Sequence, residues 1–369
     1  MSSVRLAAVT VVKDGTEVLH HTDLEVPDGQ RVAVLGPSGA GKTTLLRVVA
    51  GLDAPATGTV LLAGQDVAGV ATRDRAVAMV TQEAALLKHL DVEHNVSFPL
   101  TMRGIREPER SQRVEAEVRA FSLKRFLRRR PTQLSMGEQH DVAMARALVR
   151  RGGVLLLDEP FANTDASRRH GLLRELLRLQ EGYRVTLLAA TNDQEIALLL
   201  AERCVVLRDG SIVQDGAPLD VLARPATTFV AGFLGSPPMN LIPGHVERVA
   251  GHTRIVAGPV RIEQPRPEVA ALAGRPCTVG IRPQDLGRTH ERQRRGTVSD
   301  VRVEEVVRRT AFLGSEVEVA IAPRGAPDQE VVAVIDRPLP PVGSLLELSV
   351  PRSRVHVFDE HGAAVVHGV

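Results

Sequence analysis

The densest chemistry in this 369-residue chain lies in one short run, Gly36 to Thr44, which reads GPSGAGKTT. It satisfies G-x-x-x-x-G-K-[ST], a loop that cradles phosphates, and its flanks suit that role: Arg31 to Leu35 reads as a buried strand before it and Thr44 to Ala50 as a helix after it. Gly36, Gly39 and Gly41 let the backbone curl so that successive N–H groups point inward at phosphate oxygens, and the following helix adds the positive end of its dipole. The whole set Gly36, Pro37, Ser38, Gly39, Ala40, Gly41, Lys42, Thr43 and Thr44 is therefore expected to bind a triphosphate. Lys42 reaches the terminal phosphates and the Thr43 hydroxyl can ligate magnesium. Only Lys13, Lys42, Lys88 and Lys124 are lysines against a large excess of arginine, so a lysine at this one position is informative.

Further groups bear on the same chemistry. The apolar run Val154 to Leu157 ends in Asp158 and Glu159, and a strand finishing in two carboxylates is costly unless they have a cation or a task. Beside a phosphate loop, one acid can hold the magnesium and the other can orient or deprotonate water. Ser135, followed three residues later by Glu138, forms a capping box, which predicts a helix running on through Val142 and Ala145 and an anion-attracting N-terminus.

These residues need elements to hold them. Val4 to Val12 and Leu19 to Val26 read as a hairpin, Ala56 to Val67 as a short strand pair, and Ala76 to Thr81 as a strand ending at Gln82. From Glu83 to about Arg130 the pattern is helical and charged, with a basic cluster over Arg125 to Arg130 that reads as a solvated face. Ala166 to Gln180 is an amphipathic helix with leucines for core packing, and Val185 to Ala190 is a strand leading to Thr191, Asn192 and Asp193. Alternating apolar strands and helices imply an α/β fold with a mainly parallel sheet. Ligands sit beyond the carboxyl ends of such strands, which is where Gly36, Gln82, Asp158 and Asn192 fall.

Composition bounds the rest. The length suits two domains. A net charge of +2 and 2% aromatics give no basis for a nucleic-acid partner. Cys204 and Cys277 have neither metal-site nor redox spacing, so a reducing compartment is expected. The N-terminus carries Arg5 and Lys13 without an apolar core, so no signal peptide is expected, and no apolar run approaches the roughly 20 residues of a membrane span. Any membrane role is expected to run through a partner.

In order and spacing, GPSGAGKTT, Gln82, LSMGE at 134 to 138, VLLLDE at 154 to 159 and ANTDA at 162 to 166 resemble the phosphate loop, glutamine loop, signature, Walker B and D-loop of the ATP-binding cassette ATPases. The resemblance covers Val4 to about Gly235 and implies a P-loop nucleotide-binding domain over 1–235, with a helical subdomain at about 83–150. It implies ATP and magnesium as cofactors, with Thr43, Gln82 and Asp158 holding the metal, Glu159 polarising the attacking water and Asn192 at the γ-phosphate sensor position. It further implies that two subunits, alike or different, close head to tail, so that Ser135, Gly137 and Glu138, with Asp165 of the D-loop, complete the partner's ATP site. FVAGFLGSPPMNL (229–241), GIRPQDL (280–286) and VHVFD (355–359) resemble the regulatory domain of carbohydrate-importer ATPases, an oligonucleotide-fold-like β-barrel expected over 236–369. The expected partners are two transmembrane permease subunits, docked through Glu83 to Val96, and indirectly an extracytoplasmic solute-binding protein. The expected location is the cytoplasmic face of the membrane.

Three departures from the family pattern stand out. Asn192 replaces a histidine. An amide keeps a hydrogen bond but takes up no proton, and losing a positioned acid or base costs on the order of 10²- to 10⁴-fold in rate. Glu138 and Met136 replace the glutamine and first glycine of the signature. Val9 to Gly15 contains no aromatic to stack on adenine, a contact worth about 1 to 3 kcal/mol per base, which leaves Val12 or the stem of Lys13 as substitutes.

Overall fold

Strands with apolar residues on both faces need cover on both, and the runs 32–35, 154–157 and 187–190 around the phosphate loop are of this kind. The computed structural model describes residues 2–162, 164–249, 252–263, 265–288, 300–323 and 330–369. It divides into two units, Met1–Leu219 and Asp220–Val369.

In chain order, the first unit contains strands β1 (Val4–Lys13), β2 (Thr16–Val26) and β3 (Arg31–Leu35), then helix α1 (Lys42–Ala50). Strands β4 (Thr57–Leu62), β5 (Gln65–Asp66) and β6 (Val77–Val80) follow, then α2 (Val92–Met102), α3 (Glu109–Ala120) and α4 (Met136–Leu148). The unit continues through β7 (Val154–Asp158), α5 (Ala166–Tyr183), β8 (Thr186–Thr191), α6 (Gln194–Leu200), β9 (Arg203–Arg208) and β10 (Ser211–Gly216). Six strands form one sheet in the order β10-β9-β3-β8-β7-β6, parallel except for the β10–β9 edge pair. The predicted hairpin is present as β1 and β2, which join β4 and β5 in a separate four-stranded antiparallel sheet.

The period-2 alternation of strands divides the core. Leu155 and Leu157 of β7, with Leu187 and Ala189 of β8, face a cluster containing α2 to α5 residues; Val154, Leu156, Leu188 and Ala190 face one built from α1, β1 and β2. Leu173, Leu176 and Leu179 of α5 bury their side chains in the first cluster. Register then fixes the site. Leu35 pairs with Thr191 and Asp158 with Ala190, while Val80 pairs with Leu157. The segments beginning at Gly36, Thr81, Glu159 and Asn192 therefore leave the sheet side by side. Gly36 permits this: a Cβ there would lie 2.4 Å from the Leu207 carbonyl oxygen. The helix expected over Thr44 to Ala50 does end at Ala50, and Gly51 closes it in the left-handed conformation, φ +76°.

The second unit is mostly antiparallel sheet. Six strands between Asn240 and His367 form one sheet and five between Gly287 and Pro351 another, sharing a single valine- and isoleucine-rich core. Asn240 stitches the two: its amide donates to the carbonyls of Ile281 (3.0 Å) and Val332 (2.8 Å) and accepts the Val332 N–H (2.7 Å). The three sequence runs singled out in this part of the chain meet here. Met239 and Phe358 pack together with Ala231, and a Cβ on Gly280 would strike both the Met239 sulfur and the Phe358 ring. Arg282 donates to the carbonyls of Leu234 (2.7 Å) and Leu222. Among the described residues no helix is long and apolar enough to cross a membrane.

Candidate active site

Where the parallel strands end, an open cleft of about 670 Å³ is lined by the phosphate-loop residues Ser38, Gly39, Gly41, Lys42, Thr43 and Thr44 together with Gln82, Glu159 and Asn192. The predicted phosphate-binding Lys42 is thus together with four of the predicted catalytic, metal and sensor residues, Thr43, Gln82, Glu159 and Asn192. Asp158 lies beneath them, accepting the Thr43 hydroxyl at 3.0 Å.

Lys42 is 7% exposed, and its ammonium donates to Gly36 O (2.8 Å), Pro37 O (2.9 Å) and Asn192 Oδ1 (2.6 Å). Burial lowers its pKa, opposed by the charges of Glu159 and Asp158. Asp158 is 6% exposed; burial raises its pKa against the Thr43 hydrogen bond and the Lys42 charge. Burial also raises the pKa of Glu159, against bonds from the Thr191 hydroxyl (Oε2, 3.2 Å) and the Asn192 backbone N–H (Oε1, 2.9 Å). The Glu159 backbone is left-handed, φ +48°, a costly conformation for a residue with a Cβ. Such strain collects where the surrounding structure fixes a side chain for a task.

A buried carboxylate, Asp158, and a half-buried one, Glu159, against one ammonium leave an excess of negative charge, which fits a divalent cation. Among the described residues no group of three or more His, Cys, Asp or Glu side chains could hold a metal. A hydroxyl–carboxylate pair of this kind suits magnesium completed by phosphate oxygens and water. Thr43 and Asp158, with Gln82 on the cleft wall, are the residues that would hold it.

The capping box forms as predicted. Ser135 N–H donates to Glu138 Oε2 (2.8 Å), and Glu138 N–H donates to Ser135 Oγ (3.3 Å) at the start of α4. The Ser135 bond lowers the Glu138 pKa, aided by the charges of Arg125 and Arg129, whose guanidiniums lie over the Phe126 ring. Ser135, Gly137, Glu138 and Asp165 do not line the cleft. Asp165 precedes α5 without capping it through its side chain. Nor do Val12 or Lys13 line it: Lys13 is drawn to Asp53 (2.6 Å), which Arg47 also grips. Val18 of β2, Ala162 and Asp193 do line the cleft, and sequence reasoning did not single them out as site residues. The TND run carries a signal for Asp193, whereas nothing local marks Val18.

Comparison with known proteins places this geometry. An ABC transporter family profile matches residues 19–162, and a MalK OB fold domain profile matches residues 235–286. The chain is 38% identical over 365 residues to the sn-glycerol-3-phosphate import ATP-binding protein UgpC of Yersinia pseudotuberculosis, covering 97% of this chain and 98% of that one. It is 37% identical over 361 residues to UgpC of Escherichia coli O1:K1, with the same coverage. The chain belongs to the ABC transporter ATPase family. As a member it is an ATP hydrolase, with an ABC P-loop fold followed by an OB fold domain. Among solved structures, this ABC ATPase is similar to the ATP-binding cassette MJ0796 in a dimeric post-hydrolysis state bound to ADP and Pi. The TM-score is 0.53 and the identity 28%, over 58% of this chain and 98% of that one. It is likewise similar to cbiO1 from Clostridium perfringens, with a TM-score of 0.55 and 26% identity over 60% and 90% of the two chains.

Proposed function

We propose that this ATPase energises an importer of a sugar or sugar-phosphate-like solute. ATP-driven head-to-tail closure of two subunits would be coupled to two transmembrane permease subunits at the cytoplasmic face of the membrane, with an extracytoplasmic solute-binding protein delivering the cargo. The observation that carries the reading is the convergence of Lys42, Thr43, Gln82, Glu159 and Asn192 on one cleft in a chain whose full-length relatives import sn-glycerol 3-phosphate. In this reading the phosphate loop binds the triphosphate and Lys42 turns from its carbonyls and Asn192 to the terminal phosphates. Glu159, held by Thr191 and the Asn192 N–H, orients the attacking water and accepts its proton. Asn192 fixes the γ-phosphate. Thr43, Gln82 and Asp158 would hold magnesium, which would neutralise charge on the phosphates. Ser135, Gly137, Glu138 and Asp165, which lie outside their own cleft, face the ATP of the partner subunit.

Wild-type protein is expected to release phosphate from ATP in a magnesium-dependent manner, and Glu159→Gln and Lys42→Ala to release none. Equal release from all three would sink the reading. One observation favours a second possibility, a subunit that closes on ATP while turning it over slowly beside an intact partner: Asn192 holds Lys42 with an amide that cannot take up a proton. A large gain in turnover on Asn192→His would support that reading, and no gain would leave the first.

A further inference from the structure

The helix that starts at Ser135 carries Asp141 six residues on, about 9 Å along its axis at 1.5 Å per residue. The Asp141 side chain is 4% exposed and accepts Arg168 Nη2 at 2.6 Å. Arg168 lies in the first turn of α5. Its neighbour Arg169 donates Nη1 to Asp193 Oδ2 at 2.8 Å, and Asp193 caps α6 by accepting the Ile196 N–H with its other oxygen. Asp193 directly follows Asn192, whose side chain meets Lys42 and whose N–H meets Glu159.

The first turn of α5 depends on these ties. Helix starts are normally fixed by a side-chain cap, but Asp165 supplies none. The turn is placed instead by Arg168 on Asp141, Arg169 on Asp193, and His170 standing 3.7 Å from Glu195. An exposed ion pair would contribute little. Asp141, however, is buried, and a buried carboxylate left without its cation is strongly unfavourable. The Asp141–Arg168 bond is therefore the firm end of the chain of contacts. Arg168 and Arg169 are consecutive, so one short turn holds both α4 and the Asn192 loop.

We propose that Asp141 and Arg168 are positioning residues for hydrolysis. The pair ties the Ser135 helix to α5 and Arg169 carries the tie to the Asn192 loop, so that the start of α4 and the contacts of Asn192 with Lys42 and Glu159 are held in one frame. This rests on the ATPase reading above, because it takes Asn192 as part of the hydrolytic site. It adds a route from the surface that meets a partner's nucleotide to the subunit's own water-activating groups.

The test uses the full-length protein with Asp141→Asn, Arg168→Gln and the double variant, whose two amides can bond to each other without leaving a charge unpaired. Each single variant is expected to lower kcat about tenfold with KM for ATP within twofold, and the double variant to be no worse than either single. Independently of turnover, hydrogen exchange over residues 191–197 is expected to speed up about tenfold in Arg168→Gln while residues 42–50 keep wild-type exchange. Unchanged exchange at 191–197, faster exchange across the whole first unit, or full kcat in the single variants would each overturn the proposal. A wild type that released no phosphate would remove the ATPase reading, and the exchange measurement would still decide whether the tie exists.

Discussion

Asn192 Oδ1 accepts a hydrogen bond from Lys42 Nζ at 2.6 Å, while the backbone N–H of the same residue donates to Glu159 Oε1 at 2.9 Å. An ammonium offers only donors, so the amide must turn its oxygen toward Lys42. One residue thus touches both the cation of the phosphate loop and the half-buried Glu159 carboxylate. In the proposed site the Asn192 amide bonds the γ-phosphate, and a hydrogen bond to a charged group is worth about 1.5–3 kcal/mol, so Asn192→Ala should lower kcat/KM roughly 10- to 100-fold. Asn192→His places a titratable ring beside Lys42, whose charge opposes imidazolium. Its turnover should fall on the acid side as pH drops below about 6.5, a step absent from the wild type. Superimposable pH profiles of phosphate release would refute this.

The Thr43–Asp158 bond of 3.0 Å joins two proposed magnesium-holding side chains. Asp158→Asn removes a charge and Thr43→Ala removes a ligand, so both should raise the magnesium concentration for half-maximal phosphate release at least about tenfold. EDTA should abolish release by the wild type. A magnesium titration that left all three proteins at the same midpoint would show that these residues do not hold the ion.

Glu138 brings a carboxylate to the start of α4, yet it accepts the Ser135 N–H and lies within the field of Arg125 and Arg129. Glu138→Gln preserves an acceptor for the cap and should leave the unfolding midpoint nearly unchanged. Ser135→Ala removes the side-chain cap and should cost about 1 kcal/mol, read as a lower midpoint in urea. If Ser135 faces a second subunit's nucleotide, the same variant lowers turnover without weakening ATP binding to the single subunit, which equilibrium binding separates from the rate.

In the second unit His356 and His367 face each other, Nδ1 to Nδ1 at 2.9 Å, on paired strands. Burial, joined by the charges of His367, Arg282 and Arg354, pushes His356 down to about 4. Unfolded, this ring titrates near 6.5, so between those values the unfolded chain binds a proton that the folded chain refuses. The contribution is fully present above pH 6.5 and is lost as pH falls toward 4, about 3 kcal/mol in all. Urea unfolding at pH 7.5, 6 and 4.5 should show His356→Gln losing less stability than the wild type. Parallel losses would exclude His356 as the source.

Much of this site was legible because its residues announce themselves locally. GPSGAGKTT, the paired acids after an apolar strand and the Ser135–Glu138 spacing each carry their own geometry, and strand register does the rest by pairing Leu35 with Thr191 and Asp158 with Ala190. Val18 was not legible, since a β2 residue reaches the cleft only through hairpin packing against the loop, where a Cβ on Gly41 would lie 2.9 Å from the Val18 carbonyl oxygen. Lys13 could not be placed either. Its preference for Asp53 depends on the turn after α1, which brings Arg47 to the same carboxylate. The left-handed backbone of Glu159 has no sequence marker, because a glutamate there reads as ordinary.

Gln82 is followed by Ala84 and Ala85, both left-handed at φ +61° and +42°, a conformation that costs an L-residue roughly 1–2 kcal/mol. Something must hold them, and Arg146 of α4 does: its guanidinium donates to Ala84 O and Ala85 O, each at 3.1 Å. Burial lowers the Arg146 pKa, but a guanidinium keeps its charge at neutral pH. The planar fork spans two adjacent carbonyls, which a lysine ammonium at the end of a flexible stem does less well. Turnover should therefore fall in the order wild type, Arg146→Lys, Arg146→Ala, with the last about tenfold or more below the first, because the segment carrying Gln82 relaxes toward ordinary backbone. Affinity for ATP without magnesium should stay within about twofold, since the phosphate loop itself is untouched. A lysine variant as fast as the wild type would mean that charge alone, and not the two-carbonyl fork, keeps Gln82 in place.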